Sequence, residues 1–157
     1  MKIVAVIMLL LTCSVSGCLS EEPEPVEIAE PEPVLSENWD NQSYQYWNVQ
    51  PMSVGNVSEI SFNNTGDVNI TMNLTAYFHE PLLWEQGYME YMLEYNNETV
   101  FNVTLNLSNN EMFWVNLTNV SGNITVRIQS TGSDDPASQE PGDFFIARNY
   151  AVMTSYP

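Results

Sequence analysis

Val68-Asn69-Ile70-Thr71-Met72-Asn73-Leu74-Thr75-Ala76-Tyr77-Phe78 is the stretch on which the fold turns. Val68, Ile70, Met72, Leu74, Ala76 and Phe78 share one side, and Asn69, Thr71, Asn73 and Thr75 share the other. Successive side chains of a strand point to opposite faces, whereas a helix would scatter these residues around its axis. The stretch is therefore a strand with one face in a core and one polar face, as antiparallel sheets allow.

The same period of two extends in both directions. Upstream, the turn signal Asn63-Asn64-Thr65-Gly66 separates it from a short strand at 57–62, and residues 39–49 hold the first strand. Downstream, Pro81 stops the strand and 82–87 is a loop. Residues 88–95 and 99–107 form a hairpin around Asn96-Asn97-Glu98. Strands at 112–117 and 124–128 follow, divided by Asn119-Val120-Ser121-Gly122. After the polar loop 130–143, residues 144–153 make a last strand, apolar on both faces and therefore central. About eight strands with polar turns predict an all-β antiparallel β-sandwich, a jelly roll in preference to an Ig-like topology.

Two resemblances add to this reading. The hairpin, the two strands after it and the closing Gly142-Asp143-Phe144-Phe145-Ile146 resemble galactose-binding-like jelly rolls. At the other end, Lys2 precedes the apolar run Ile3 to Leu11, and Val15-Ser16-Gly17-Cys18 resembles the lipobox of bacterial and archaeal membrane lipoproteins. That resemblance implies a signal peptide at 1–17, lipid attachment at Cys18, a tether over 18–37 and a domain at 38–157. The alternative is an uncleaved signal anchor running through Leu19, at the short end of what spans a bilayer. Lys2 would then stay inside. Both place the domain outside the cytoplasm, anchored to the cell membrane.

The tether repeats itself, as Glu22-Pro23-Glu24-Pro25-Val26 and Glu30-Pro31-Glu32-Pro33-Val34. Proline and repelling glutamates favour an extended spacer, at about 3.1 Å per residue. The domain must stand on its core, because Cys13 and Cys18 both precede it and leave it no disulfide. Its charge is lopsided: after Asn38, Arg127 and Arg148 face 13 acids. Such a surface repels phosphate backbones, which argues against nucleic acid as a partner. It also gains from salt screening, and the Asn-rich, Lys-poor, acidic style resembles archaeal surface proteins.

Candidate sites follow from residue types. Asn-X-Ser/Thr occurs at 11 of the 18 asparagines, and the turn sites Asn63, Asn97, Asn119 and Asn123 are the best placed for N-glycosylation. Trp84 in a loop and Tyr88 beside Glu90 and Glu94 are candidate sugar-stacking rings. Arg148, mid-strand between Ile146 and Tyr150, is expected to pair with a carboxylate if buried, or to anchor a ligand if it opens onto a sheet face. Asp134, Asp135, Glu140 and Asp143 offer oxygen ligands for calcium in one loop. Enzyme signals are sparse. His79 is the single histidine, and neither a Gly-X-Ser-X-Gly elbow nor a phosphate loop occurs. The expectation is a non-catalytic, lipid-anchored binding module for a glycan or another envelope protein. The rival is a structural, glycosylated surface protein.

Overall fold

A computed structural model describes residues 30–79, 86–135, 137 and 139–157. The expected signal peptide at 1–17, Cys18, most of the expected tether and Trp84 lie outside the described residues. Six strands form: β1 (Val34–Gln45), β2 (Met52–Tyr77), β3 (Tyr88–Tyr95), β4 (Glu98–Asn106), β5 (Asn109–Gly132) and β6 (Phe144–Ser155). They make one antiparallel sheet in the order β1-β6-β2-β5-β3-β4.

Six elements stand where about eight strands were expected because two of the expected turns do not reverse the chain. Asn63-Asn64-Thr65-Gly66 is a bulge inside β2, and Asn119-Val120-Ser121-Gly122 is a bend inside β5. The two lie opposite each other. Pairing runs to Phe62↔Gly122, slips, and resumes at Gly66↔Val120 and Val68↔Leu117. Asn119 (φ 54°) and Gly122 (φ 82°) take the left-handed conformation that the bend requires. The Asp67 carboxylate accepts the Asn119 N–H at 3.1 Å and holds the corner. A side chain at Gly66 would land on the Thr154 carbonyl, so the bulge packs flush against β6.

The paired bends fold the sheet over itself into two layers. One contains β1, β6, residues 66–77 and residues 109–120, side by side. The other contains residues 52–62, residues 122–132, β3 and β4. With the halves of β2 and β5 counted separately, the layers hold the first, eighth, third and sixth strands, and the second, seventh, fourth and fifth. That is a jelly-roll order. An Ig-like sandwich would pair its first strand with its second, whereas here the first pairs with the last.

The core lies between the layers. Val68, Ile70, Met72, Leu74, Ala76 and Phe78 are all buried, as their alternation demands, and meet Ile60, Met89, Tyr91, Leu93, Ile124 and Ile128 from the facing layer. Polar ties cross this core. The Tyr91 hydroxyl donates to Asn149 Oδ1 at 2.7 Å, and Asn149 Nδ2 donates to Asp40 at 2.9 Å. The Tyr46 hydroxyl donates to Ser130 Oγ at 2.9 Å. Burial pushes the Tyr46 phenol up to about 12 and raises Tyr91 as well, because a phenolate has nowhere to be solvated there.

Two boundaries differ from the sequence reading. The compact unit begins at Pro31, and β1 at Val34 pairs with Ser155, so 34–37 belong to the domain and not to the tether. The Glu-Pro composition ends at Pro33, and pairing starts at once. The β3–β4 connection is a two-residue turn, Asn96 (φ 54°) and Asn97 (φ 63°), the geometry that suits the right-handed twist of a hairpin.

Candidate functional site

The outer face of the first layer is built row by row from strand register. Trp39 on β1 faces Tyr150 on β6, Tyr150 faces Thr71 on β2, and Thr71 faces Trp114 on β5. This row crosses four strands, about 14 Å at the usual interstrand spacing. The next row, about 7 Å along the strands, is Asn41, Arg148, Asn73 and Met112. The row on the other side is Glu37, Val152, Asn69 and Asn116, with Asn69 Nδ2 donating to Asn116 Oδ1 at 2.7 Å.

These rings are outside because the alternation that buries Ile70 and Met72 turns their neighbours outward. Trp39 is 67% exposed and Trp114 is 64% exposed, so neither is spent on the core. The Trp39 ring stacks on Tyr150 at a centroid distance of 4.2 Å. Partial burial and the Glu37 carboxylate beside it raise the Tyr150 phenol above its ordinary value. Farther along the same face Tyr77 stacks on Phe144 at 5.6 Å, and the Tyr77 hydroxyl donates to Glu140, which raises its phenol. There Ser43, Gln45, Trp47, Phe144 and Ile146 border a shallow hollow whose Trp47 is 71% exposed. Exposed rings with amides and hydroxyls between them can stack on the C–H faces of a ligand and bond its polar edges.

Arg148 belongs to this face. Its strand is central, as expected, but the side chain points outward and is exposed, and no described carboxylate lies within ion-pair distance. The buried ion pair expected for a packed arginine is therefore absent. The inward position beside it is filled by Asn149, which satisfies its polar atoms through Tyr91 and Asp40. Arg127 lies on the other layer and donates to Glu94 at 3.2 Å.

Tyr88 opens β3 on the other layer, opposite Asn106 and Thr131, so it and Arg148 do not meet in one site. The four loop acids do not converge either. Asp143 is buried and accepts bonds from the His79 N–H at 3.0 Å, the His79 ring and the Ser133 N–H at 2.8 Å. Asp135 accepts from Ala137 N–H, and Glu140 accepts from Tyr77. Among the described residues no cluster of three or more acidic, histidine or cysteine side chains is arranged to hold a metal. The Asp143 carboxylate is committed to stitching strand ends. The turn asparagines Asn63, Asn97, Asn119 and Asn123 are all exposed, with Asn123 Nδ2 donating to Glu59 at 2.7 Å.

Sequence reasoning missed Trp39, Trp114 and Tyr150 as a group. Their alternation was visible, but which strands lie side by side was not, and only adjacency makes a row.

No protein-family model matches the chain, and no curated protein matches it. Solved structures of similar shape include dimeric latent PorU from Porphyromonas gingivalis, at 7% identity and TM-score 0.43, over 82% of this chain and 14% of that one. The infectious bursal disease virus VP2 subviral particle is similar at 11% identity and TM-score 0.37, over 81% of this chain and 34% of that one. Bacillus endospore appendages, at 11% identity and TM-score 0.37, match over 78% of this chain and 92% of that one. These are distant likenesses of shape.

Proposed function

We propose that this protein is a non-catalytic binding module, displayed outside the cell membrane from a lipid on Cys18, and that its ring-bearing outer face takes a glycan. The observation that carries the proposal is the row Trp39–Tyr150–Thr71–Trp114, which holds two exposed indoles, Trp39 and Trp114, on one sheet face, with Tyr150 half-buried against Trp39. Sugars offer C–H faces to rings and hydroxyls to amides, and Asn41, Asn73, Asn69 and Asn116 flank the row. The resemblance to galactose-binding-like jelly rolls points the same way. Exposed rings flanked by amides suit a sugar better than an envelope protein, whose contact would ask for a more contiguous apolar centre.

The rival, a structural glycosylated surface protein, meets this proposal on the same surface. The sequons at Asn41, Asn69, Asn73 and Asn116 share the ring face, so glycans there would cover the row. The sequons at the turns leave it open. An oligosaccharide panel with the full chain in detergent decides between the two. Binding that Trp39→Ala and Trp114→Ala each weaken about tenfold, the scale of a lost stacked ring, with unchanged melting, supports the module. A panel with no binder, or binding that survives both substitutions, overturns it.

A further inference from the structure

Resting on that glycan reading, we infer that the ligand is an acidic oligosaccharide and that Arg148 binds the carboxylate of a hexuronate unit. Arg148 is exposed at the centre of the ring face. Asn41 and Asn73 flank it in register, and Tyr150 lies two residues along its strand. No described carboxylate pairs with it, although the domain carries 13 acids after Asn38. The other domain arginine, Arg127, is already engaged by Glu94. On this face Glu37 lies two rows beyond Asn41, beside Tyr150, and Glu140 bonds Tyr77, which stands two rows from Arg148 on the other side. In a protein this acidic, an exposed arginine with no described carboxylate paired to it can take one from a ligand.

The geometry of a stacked sugar suits this arginine. A hexuronate stacked on the exposed Trp39 ring carries its carboxylate at the edge of the sugar ring. Arg148 stands one row away, about 7 Å along the strand, within reach of its long side chain. A guanidinium binds a carboxylate through two parallel N–H···O bonds, which gives strength and orientation. The Asn41 and Asn73 amides on either side are placed for the neighbouring hydroxyls. The net charge of the domain opposes an anionic ligand at long range, but that repulsion is screened beyond about 8 Å at physiological salt, and the contact itself is local.

The test is a comparison of matched probes with the full chain in detergent. Oligogalacturonate, oligoglucuronate and alginate oligomers are each titrated beside their methyl esters and the corresponding neutral hexose oligomers. The expected result is that at least one free acid binds about tenfold or more tighter than its ester, the scale of a charge-assisted bond. Arg148→Met should remove that difference while keeping the weaker binding common to acid and ester. Trp114→Ala should weaken both. Equal affinity for acids and esters, or an acid preference that survives Arg148→Met, overturns the inference and leaves the glycan reading standing. Binding of no acid, ester or neutral oligomer overturns both. Because Arg148 is exposed, its substitution should leave the melting temperature where it was, so lost preference reports lost contact.

Discussion

Asp143 shows how one side chain can hold the end of a sandwich together. It is 1% exposed, and its carboxylate bonds His79 at the end of β2 and Ser133 beyond β5. Its carbonyl accepts the Tyr46 N–H at 2.8 Å, and its own N–H donates to Ser133 at 3.0 Å. Asp143→Ala would strand the buried Ser133 N–H, the part-buried His79 N–H and the imidazole. We expect a loss of about 3 kcal/mol, read as a lowered denaturant midpoint at unchanged slope. Millimolar calcium should leave that midpoint unmoved, since the Asp143 carboxylate is taken up by hydrogen bonds. Tyr46 gives a pH signature. Its phenol is raised in the fold, so the folded state holds this proton more tightly than the unfolded chain does. The stability this contributes is fully present below the unfolded value, about pH 10, and is lost as pH rises from there toward 12. A melt series at alkaline pH should show the decline, and Tyr46→Phe should flatten part of it.

The corner of the folded sheet is the feature on which the elements depend. The chain signals Asn63-Asn64-Thr65-Gly66 and Asn119-Val120-Ser121-Gly122 were legible as interruptions, and the residues inside each segment kept the period of two. What could not be read was that the interruptions are bends. A local turn signal marks where extended geometry breaks, and the pairing partner decides whether the chain reverses or continues. Here each bend faces the other, so both strands continue into the second layer. Gly66 makes that possible by its close approach to Thr154. Gly66→Ala should cost about 2 kcal/mol by forcing backbone apart, measured by chemical denaturation. Gly122→Ala, with open space around it and only its positive φ at stake, should cost about 1 kcal/mol. Equal costs at the two sites would mean that the corner is not packed as described.

At the scale of the molecule, charge and face determine behaviour. Self-repulsion among the domain acids should relax as salt screens it, so the melting temperature should climb with NaCl up to about 0.5 M. A flat midpoint across that range would mean that the acids are already well separated. The core was legible from alternation, and so was Arg148 as a residue with two possible fates. Its actual fate, and the company of Trp39, Tyr150 and Trp114, depended on β6 lying between β1 and β2. Strand order is a long-range property that no local pattern carries. The most direct test of the ring face is the tryptophan indole N–H spectrum of the full chain, recorded by NMR during titration with an oligosaccharide that binds and assigned by single Trp→Phe substitutions. The account predicts that the Trp39 and Trp114 signals move together and saturate at one ligand concentration. Binding that leaves both signals in place would contradict it.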